Sequence, residues 1–129
     1  MTTNDPLNTV HRMFAAFRAG DLDGILETVH ADSRWTYIGA NPKPTKAELV
    51  GRANVRRFFE RIIRRLEMSA FDTTEFVVQG DTVVVFGGES GTVRSTGAAF
   101  RNEWVQKYVV EDNRIVEMAE YNIQIDPSH

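Results

Sequence analysis

Apolar positions recur at helical spacing in three stretches of the first half of the chain. Leu7, Val10, Phe14 and Phe17 stand three and four residues apart, which gathers them on one stripe. Asp5 and Pro6 predict the start of that helix, with an acid at the N-cap and a proline where its missing N–H costs nothing. Gly20 predicts its end, and Asp21 caps a second helix at once, with Leu22, Ile25, Leu26 and Val29 as its stripe. Two helices joined so tightly form a hairpin or a sharp corner. Val55, Phe58, Phe59, Ile62 and Leu66 make a third, stronger stripe from Arg52 onward. Thr45 and Glu48 have capping-box spacing ahead of it, with Gly51 delaying the main helix.

Elsewhere the pattern is that of strands. Ser33–Ile38 predicts a short strand with Trp35 and Tyr37 on one side, and Gly39–Pro44 a loop, because Pro42 and Pro44 fit no helix or ladder interior. Four further strands are predicted near Ala70–Val78, Thr82–Thr92, Ala98–Val110 and Arg114–Ile125. Turn signals at Gly80-Asp81, Ser95-Thr96-Gly97 and Glu111-Asp112-Asn113 separate them. Strands joined by hairpins run antiparallel, since parallel neighbours need long crossovers. The predicted order is α-α-β-α-β-β-β-β, a single α+β domain over residues 1–129.

Composition narrows the chemistry. A chain of 129 residues, 42% of them hydrophobic, buries roughly two-thirds of its unfolded surface, enough for a core and an internal cavity. The chain contains no cysteine, which excludes a disulfide scaffold, a thiol nucleophile and a thiolate metal site. Of the three histidines one is the terminal His129; His11 and His30 read as surface or cap residues, and no metal site or cofactor is expected. The net charge of −3 argues against a general nucleic-acid binder. No apolar run approaches the ~18 residues of a membrane span, and Met1–Pro6 lacks the features of a secretory leader. The expectation is a cytoplasmic chain whose partners include neither nucleic acid nor membrane.

Two biased segments have plain readings. Arg52, Arg56, Arg57, Arg61, Arg64 and Arg65 alternate with Glu60 and Glu67 at helical spacing, as on a solvated outer face. Gly87-Gly88-Glu89-Ser90-Gly91 precedes no helix, so it is no phosphate loop. Glycines in a strand instead permit curvature or a bulge.

Several short motifs fall in a telling order. Ala19-Gly20-Asp21-Leu22-Asp23 follows the first helix, Gly51-Arg52 opens the third, and Asn102-Glu103-Trp104-Val105 lies in the penultimate strand. Asn113-Arg114-Ile115-Val116-Glu117 then leads to Glu120-Tyr121. In this the chain resembles the ketosteroid-isomerase-like superfamily, especially its polyketide-cyclase (SnoaL-like) branch, over nearly its whole length. The resemblance implies a nuclear-transport-factor-2-like fold. In that fold three N-terminal helices pack in the concave face of a curved, mostly antiparallel sheet, a cone-shaped α+β barrel around a pocket. It also implies a small apolar ligand, and either cofactor-independent isomerase, cyclase or lyase chemistry or binding alone, since fold does not decide function.

Matching the superfamily's residues by position gives sharper expectations. The oxyanion-hole tyrosine of true ketosteroid isomerases falls on Met13, their protonated aspartate on Val105 and their base aspartate near Tyr37. Neither Met nor Val can donate a hydrogen bond to a dienolate, so steroid isomerisation by that machinery is not expected. The two acids of limonene epoxide hydrolase fall on Glu89 and Glu120, and its bridging arginine on Gly87. Arg101, on the adjoining strand, is a replacement candidate.

The sheet admits two readings. In Ala98–Val110, Phe100, Trp104, Tyr108 and Val110 share one face, and Arg101, Glu103, Val105 and Lys107 the other. Patterning alone buries the aromatic face under the helices. The resemblance instead turns Arg101 and Glu103 into the pocket with Glu89, Glu120 and Asn122, and sends the aromatic row outward beside Val84, Phe86, Tyr121 and Ile123. A patch so apolar needs a partner, so that reading, which we follow, expects a homodimer through the convex sheet face. Glu120 and Glu89 then exchange protons while Arg101 and Glu103 fix charge. Trp35, Tyr37, Asn122, Met13, Phe17 and Val105 shape the site. In the plainer alternative, Arg101 and a glutamate simply satisfy each other's charge.

Overall fold

The computed structural model describes residues 3–40 and 44–126. Helices α1 (Pro6–Arg18) and α2 (Leu22–Glu27) are followed by strands β1 (Val29–Ala40) and β2 (Pro44–Val50), helix α3 (Arg52–Arg65), and strands β3 (Leu66–Gln79), β4 (Thr82–Val93), β5 (Ala99–Glu111) and β6 (Arg114–Ile125). The strands form one curved, unclosed sheet in the order β2-β1-β6-β5-β4-β3. All neighbours are antiparallel except β1 and β6, which run parallel.

The helix ends follow their residues. Asp5 caps α1, its side chain accepting from the Asn8 N–H, with Pro6 opening the helix. Asp21 caps α2 through the Gly24 N–H. Between them Gly20 takes φ +68°, the left-handed conformation that closes a helix cheaply only for glycine. At the other end of the chain, Asp112 and Asn113 both adopt positive φ, as the tight β5–β6 hairpin requires. The Asn113 side chain then accepts from the Asp5 N–H at 2.6 Å, tying the start of α1 to that hairpin.

Two points depart from expectation, and one lies partly outside the described residues. Pro44–Val50 is an edge strand paired to β1, from Arg34–Val50 to Ala40–Pro44, so Thr45 and Glu48 form no capping box. Proline is tolerated there because an edge strand has a side without ladder bonds. Of the predicted loop 39–44, positions 41–43 lie outside the described residues, as do the first two residues and His129. Leu66 leaves the helix and opens β3, which begins earlier than the turn signals implied.

The core lies between the helices and the inner face of the sheet. Val10, Met13 and Phe14 of α1 and Val55 and Phe59 of α3 pack onto Trp35, Val83, Val85, Trp104, Tyr108 and Met118. Phe100, Trp104 and Tyr108 are therefore inside, at 8%, 2% and 1% exposure. This corrects the expectation that the row points outward. The register gives the reason: Glu89 pairs with Asn102, Glu120 with Gln106 and Asn122 with Trp104, so the polar site residues share the aromatic face of β5. Arg101, Glu103 and Val105 occupy the alternate positions and face outward.

The arginine-rich face of α3 is solvated, as read from its spacing. Arg56 bridges Glu60 at 3.0 Å and the largely exposed Asp23 at 3.2 Å. Arg52 is an exception, donating from Nε to the Val29 carbonyl at 2.9 Å to pin α3 onto β1.

Candidate active site

A cavity of about 220 Å³ opens between the helices and the inner sheet face. Its helical wall is Met13, Phe14 and Phe17 from α1 and Phe58, Phe59 and Ile62 from α3, and its sheet wall includes Trp35, Tyr37, Phe71 and Tyr108. The rings brace one another: Tyr37 stacks on Phe58 at 4.2 Å between centroids, and Trp35 meets Phe59 edge-on at 5.5 Å. Aromatic pairs of this kind hold a wall in place without hydrogen bonds. Two carboxylates, Glu89 from β4 and Glu120 from β6, and the amide of Gln106 interrupt the apolar lining.

Glu120 is buried and sits in a directed network. Gln106 Nε2 donates to Glu120 Oε1 at 2.6 Å, and Asn122 Nδ2 donates to Glu120 Oε2 at 3.1 Å. The Tyr108 hydroxyl donates to Gln106 Oε1 at 2.6 Å, which fixes which end of the Gln106 amide faces the acid. Burial pushes the Glu120 carboxyl up to about 7, against the two amide donors that favour its charged form; the charge of Glu89 adds to the rise. A carboxyl so placed is divided between acid and base near neutral pH, the condition for proton exchange with a bound molecule.

Glu89 is shifted upward by the same cause, opposed by Asn102, whose Nδ2 donates to Glu89 Oε2 at 3.1 Å, and by Trp104. The Trp104 Nε1–H lies near enough to favour the charged acid but completes no hydrogen bond. Among the described residues it is the buried side-chain polar atom left without a partner. Burial also raises the phenols of Tyr37 and Tyr108 well above their usual value, with the Glu120 charge next in size, so both remain protonated donors.

Gly87 makes room for this arrangement. A Cβ there would collide with the Trp104 ring and the Asp72 carbonyl, so the glycine leaves room for the indole beside β4. The glycine-rich run thus serves the sheet, as its position in a strand implied.

The structure brings together Glu120, Glu89, Trp35, Tyr37, Met13 and Phe17 around the cavity, with Asn122 bound to Glu120 behind it. It does not bring in Arg101, Glu103 or Val105. Arg101 and Glu103 lie on the outer face, 51% and 63% exposed and 3.9 Å apart. Among the described residues no arginine lines the cavity, so the acid pair Glu89 and Glu120 lacks the bridging guanidinium of the epoxide-hydrolase expectation. Gln106 and Asn102 were missed, although both share the parity of Trp104 and Tyr108 and so stood out as polar positions in an apolar row. His11 is exposed with its ring 4.6 Å from Phe76, and His30 Nδ1 accepts from the Asp32 N–H, both away from the cavity. Among the described residues no cluster of three or more acids and histidines could hold a metal, and no helix is long and apolar enough to cross a membrane.

Comparison with known proteins agrees with this architecture. The SnoaL-like domain model matches residues 10–118, and the chain belongs to that family. Its fold is shared with an NTF2-like protein from Burkholderia xenovorans LB400, 29% identical, with 91% of this chain and 88% of that one covered at a TM-score of 0.78. An NTF2-like protein from Burkholderia thailandensis E264 is 24% identical, covering 95% of this chain and 92% of that one at a TM-score of 0.79. TerC, solved with polyporic acid, is 25% identical, covering 89% of this chain and 88% of that one at a TM-score of 0.73. No curated protein matches the chain.

Proposed function

We propose that this SnoaL-like protein is a cofactor-independent acid–base catalyst of the isomerase, cyclase or lyase type, acting on a small, largely apolar molecule held in the cavity. The observation that carries the reading is the placement of two carboxylates, the buried Glu120 and the partly buried Glu89, on the wall of an otherwise aromatic cavity. Apolar walls exclude water and desolvate the acids, and the amides of Gln106 and Asn122 hold Glu120 in one orientation. Glu120 would take a proton from the substrate and Glu89 return one, or the reverse. The Tyr37 phenol, kept protonated, can donate to an oxyanion where Met13 cannot. TerC, of the same fold, was crystallised with polyporic acid, which supports reading the cavity here as a small-molecule pocket.

Binding without turnover is the second reading. It is favoured by Met13 in the place of the oxyanion tyrosine and by the lack of an arginine beside the acids. Thermal-shift screening with steroids, polyketide-like aromatics and terpene epoxides supplies a ligand, since one at a hundredfold excess over Kd stabilises by roughly 2.7 kcal/mol. Glu120→Gln keeps the side chain's volume but not its ionisation, so it is expected to lower kcat by at least about a hundredfold while leaving binding in place. Unchanged turnover would remove Glu120 from the chemistry; binding with no turnover in the wild type would establish the binder.

For the assembly, we propose a homodimer through the outer sheet face, on a different basis from the aromatic row. Phe86, Val105 and Tyr121 stand side by side across β4, β5 and β6, and Phe86, Tyr121 and Ile123 are 38%, 53% and 65% exposed. Arg101 and Glu103 flank this row with opposite charges, an arrangement that a two-fold axis makes self-complementary.

A further inference from the structure

A second space adjoins the cavity across its aromatic wall. Phe17, Ile62, Leu66, Met68 and Phe71 line the cavity on one side and on the other line a groove of about 360 Å³ at the C-terminal ends of α1 and α3. We take this groove, which shares half of its lining with the cavity, as the cavity's mouth; its charge is opposite to that of the interior. Arg18 and Arg94 stand in its lining, which among the described residues includes no Asp or Glu.

The Arg18 guanidinium is held in place without being neutralised. It lies over the rings of Phe71 and Phe14, 5.6 and 5.8 Å from their centroids, and Nη2 donates to the Thr73 hydroxyl at 3.2 Å. No described carboxylate forms an ion pair with it. A guanidinium has five N–H donors, so most of its fork is open to a ligand. Arg94 reaches Glu67 at 3.6 Å, but those side chains are 50% and 68% exposed. Such surface pairs are worth only about 0–1 kcal/mol and are readily exchanged.

The site is thus polarised, with Glu89 and Glu120 inside and two cations at the mouth. An anionic group driven into the cavity would meet like charge in a desolvated site, whereas at the mouth it meets an unpaired guanidinium. The cavity alone, at about 220 Å³, is smaller than the ~300–1,000 Å³ of pockets that enclose a whole drug-sized ligand. An occupant with one part inside and another in the groove uses both spaces.

We propose that the ligand is an amphiphilic organic acid, a ring-bearing carboxylate whose apolar body fills the cavity and whose carboxylate is bound at the mouth by Arg18, with Arg94 as the second cation. This rests on the small-molecule reading of the cavity and adds the substrate's charge and orientation. The end of the molecule facing Glu120 and Glu89 is then its neutral end, where proton transfer is not opposed by the ligand's own charge.

Isothermal titration with 2-naphthoate and 2-naphthamide, the same ring with and without the charge, tests the proposal. Wild type is expected to bind the acid about tenfold or more tightly than the amide, the difference made by a charge-assisted bidentate pair. Arg18→Met keeps the apolar stem over Phe71. It should reduce that preference to within about threefold while leaving amide affinity unchanged, whereas Arg57→Met on the outer face of α3 should change neither. Equal binding of acid and amide by the wild type would overturn the anionic ligand and leave the cavity reading standing. A preference for the acid that survives in the Arg18→Met/Arg94→Met double variant would overturn the assignment to the mouth. Absence of binding by both probes would overturn the cavity reading itself, and this inference with it.

Discussion

Gln106 Nε2 holds Glu120 Oε1 at 2.6 Å, and the orientation of that amide is set by the Tyr108 hydroxyl on its other end. The bond favours a charged Glu120, whereas burial favours a neutral one, and burial prevails by raising the carboxyl from 4.5 to about 7. The folded protein therefore holds a proton that the unfolded chain has already released.

That imbalance fixes a pH dependence of stability. Between about 4.5 and 7 the native state binds more protons at Glu120 than the unfolded state, so stability falls as pH rises through this window and levels off above it. The loss is on the order of 3 kcal/mol, and Glu89, shifted the same way, adds to it. Glu120→Gln is neutral throughout, so its stability should match the wild type near pH 4.5 and exceed it at pH 8. Urea denaturation across that range measures both curves; parallel curves would show that Glu120 titrates normally.

Gly87 supports a second prediction, on packing. Gly87→Ala places a methyl against the Trp104 ring and the Asp72 carbonyl, neither of which can yield easily. Overpacking of this kind costs about 1–3 kcal/mol. Displacement of Trp104 should also change its fluorescence and disturb Phe71, stacked on it at 5.4 Å. Thermal unfolding at wild-type temperature with unaltered emission would mean that the strand has slack here.

The helices and the meander were legible because their periodicities are clean and their caps chemically explicit, as at Asp5-Pro6 and Gly20-Asp21. Pro44–Val50 was not, because an edge strand with one neighbour and exposed side chains needs no alternation. The faces of β5 show how sharply register matters. Alternation alone put Phe100, Trp104 and Tyr108 inside, and positional matching to the superfamily, carried to Val105, reversed them. A strand read one residue out of step exchanges both its faces. The acids Glu89 and Glu120 survived that error because they lie on β4 and β6, whereas Arg101 and Glu103, on β5 itself, did not. Gln106 carried a usable signal, a polar residue between Trp104 and Tyr108 in the buried row.

The outer sheet face predicts the behaviour of a dimer. Tyr121→Arg places a charge in the row Phe86, Val105 and Tyr121, where the two-fold partner would bring a second copy of it close by. The wild type should sediment as a dimer at micromolar concentration and the variant as a monomer with the same thermal fold. A monomeric wild type would show that the face is simply exposed.

The central claim, that a cavity carboxyl exchanges protons near neutrality, is tested most directly by following the side-chain carboxyl carbons of 13C-labelled glutamate by NMR as pH is raised. A resonance absent from Glu120→Gln is expected to titrate with a midpoint at about 7, well above the ~4.3 of an unperturbed glutamate. If the resonance lost in Glu120→Gln titrates with the ordinary glutamates, Glu120 is a fixed anion at neutral pH, and the acid–base reading of the cavity is contradicted.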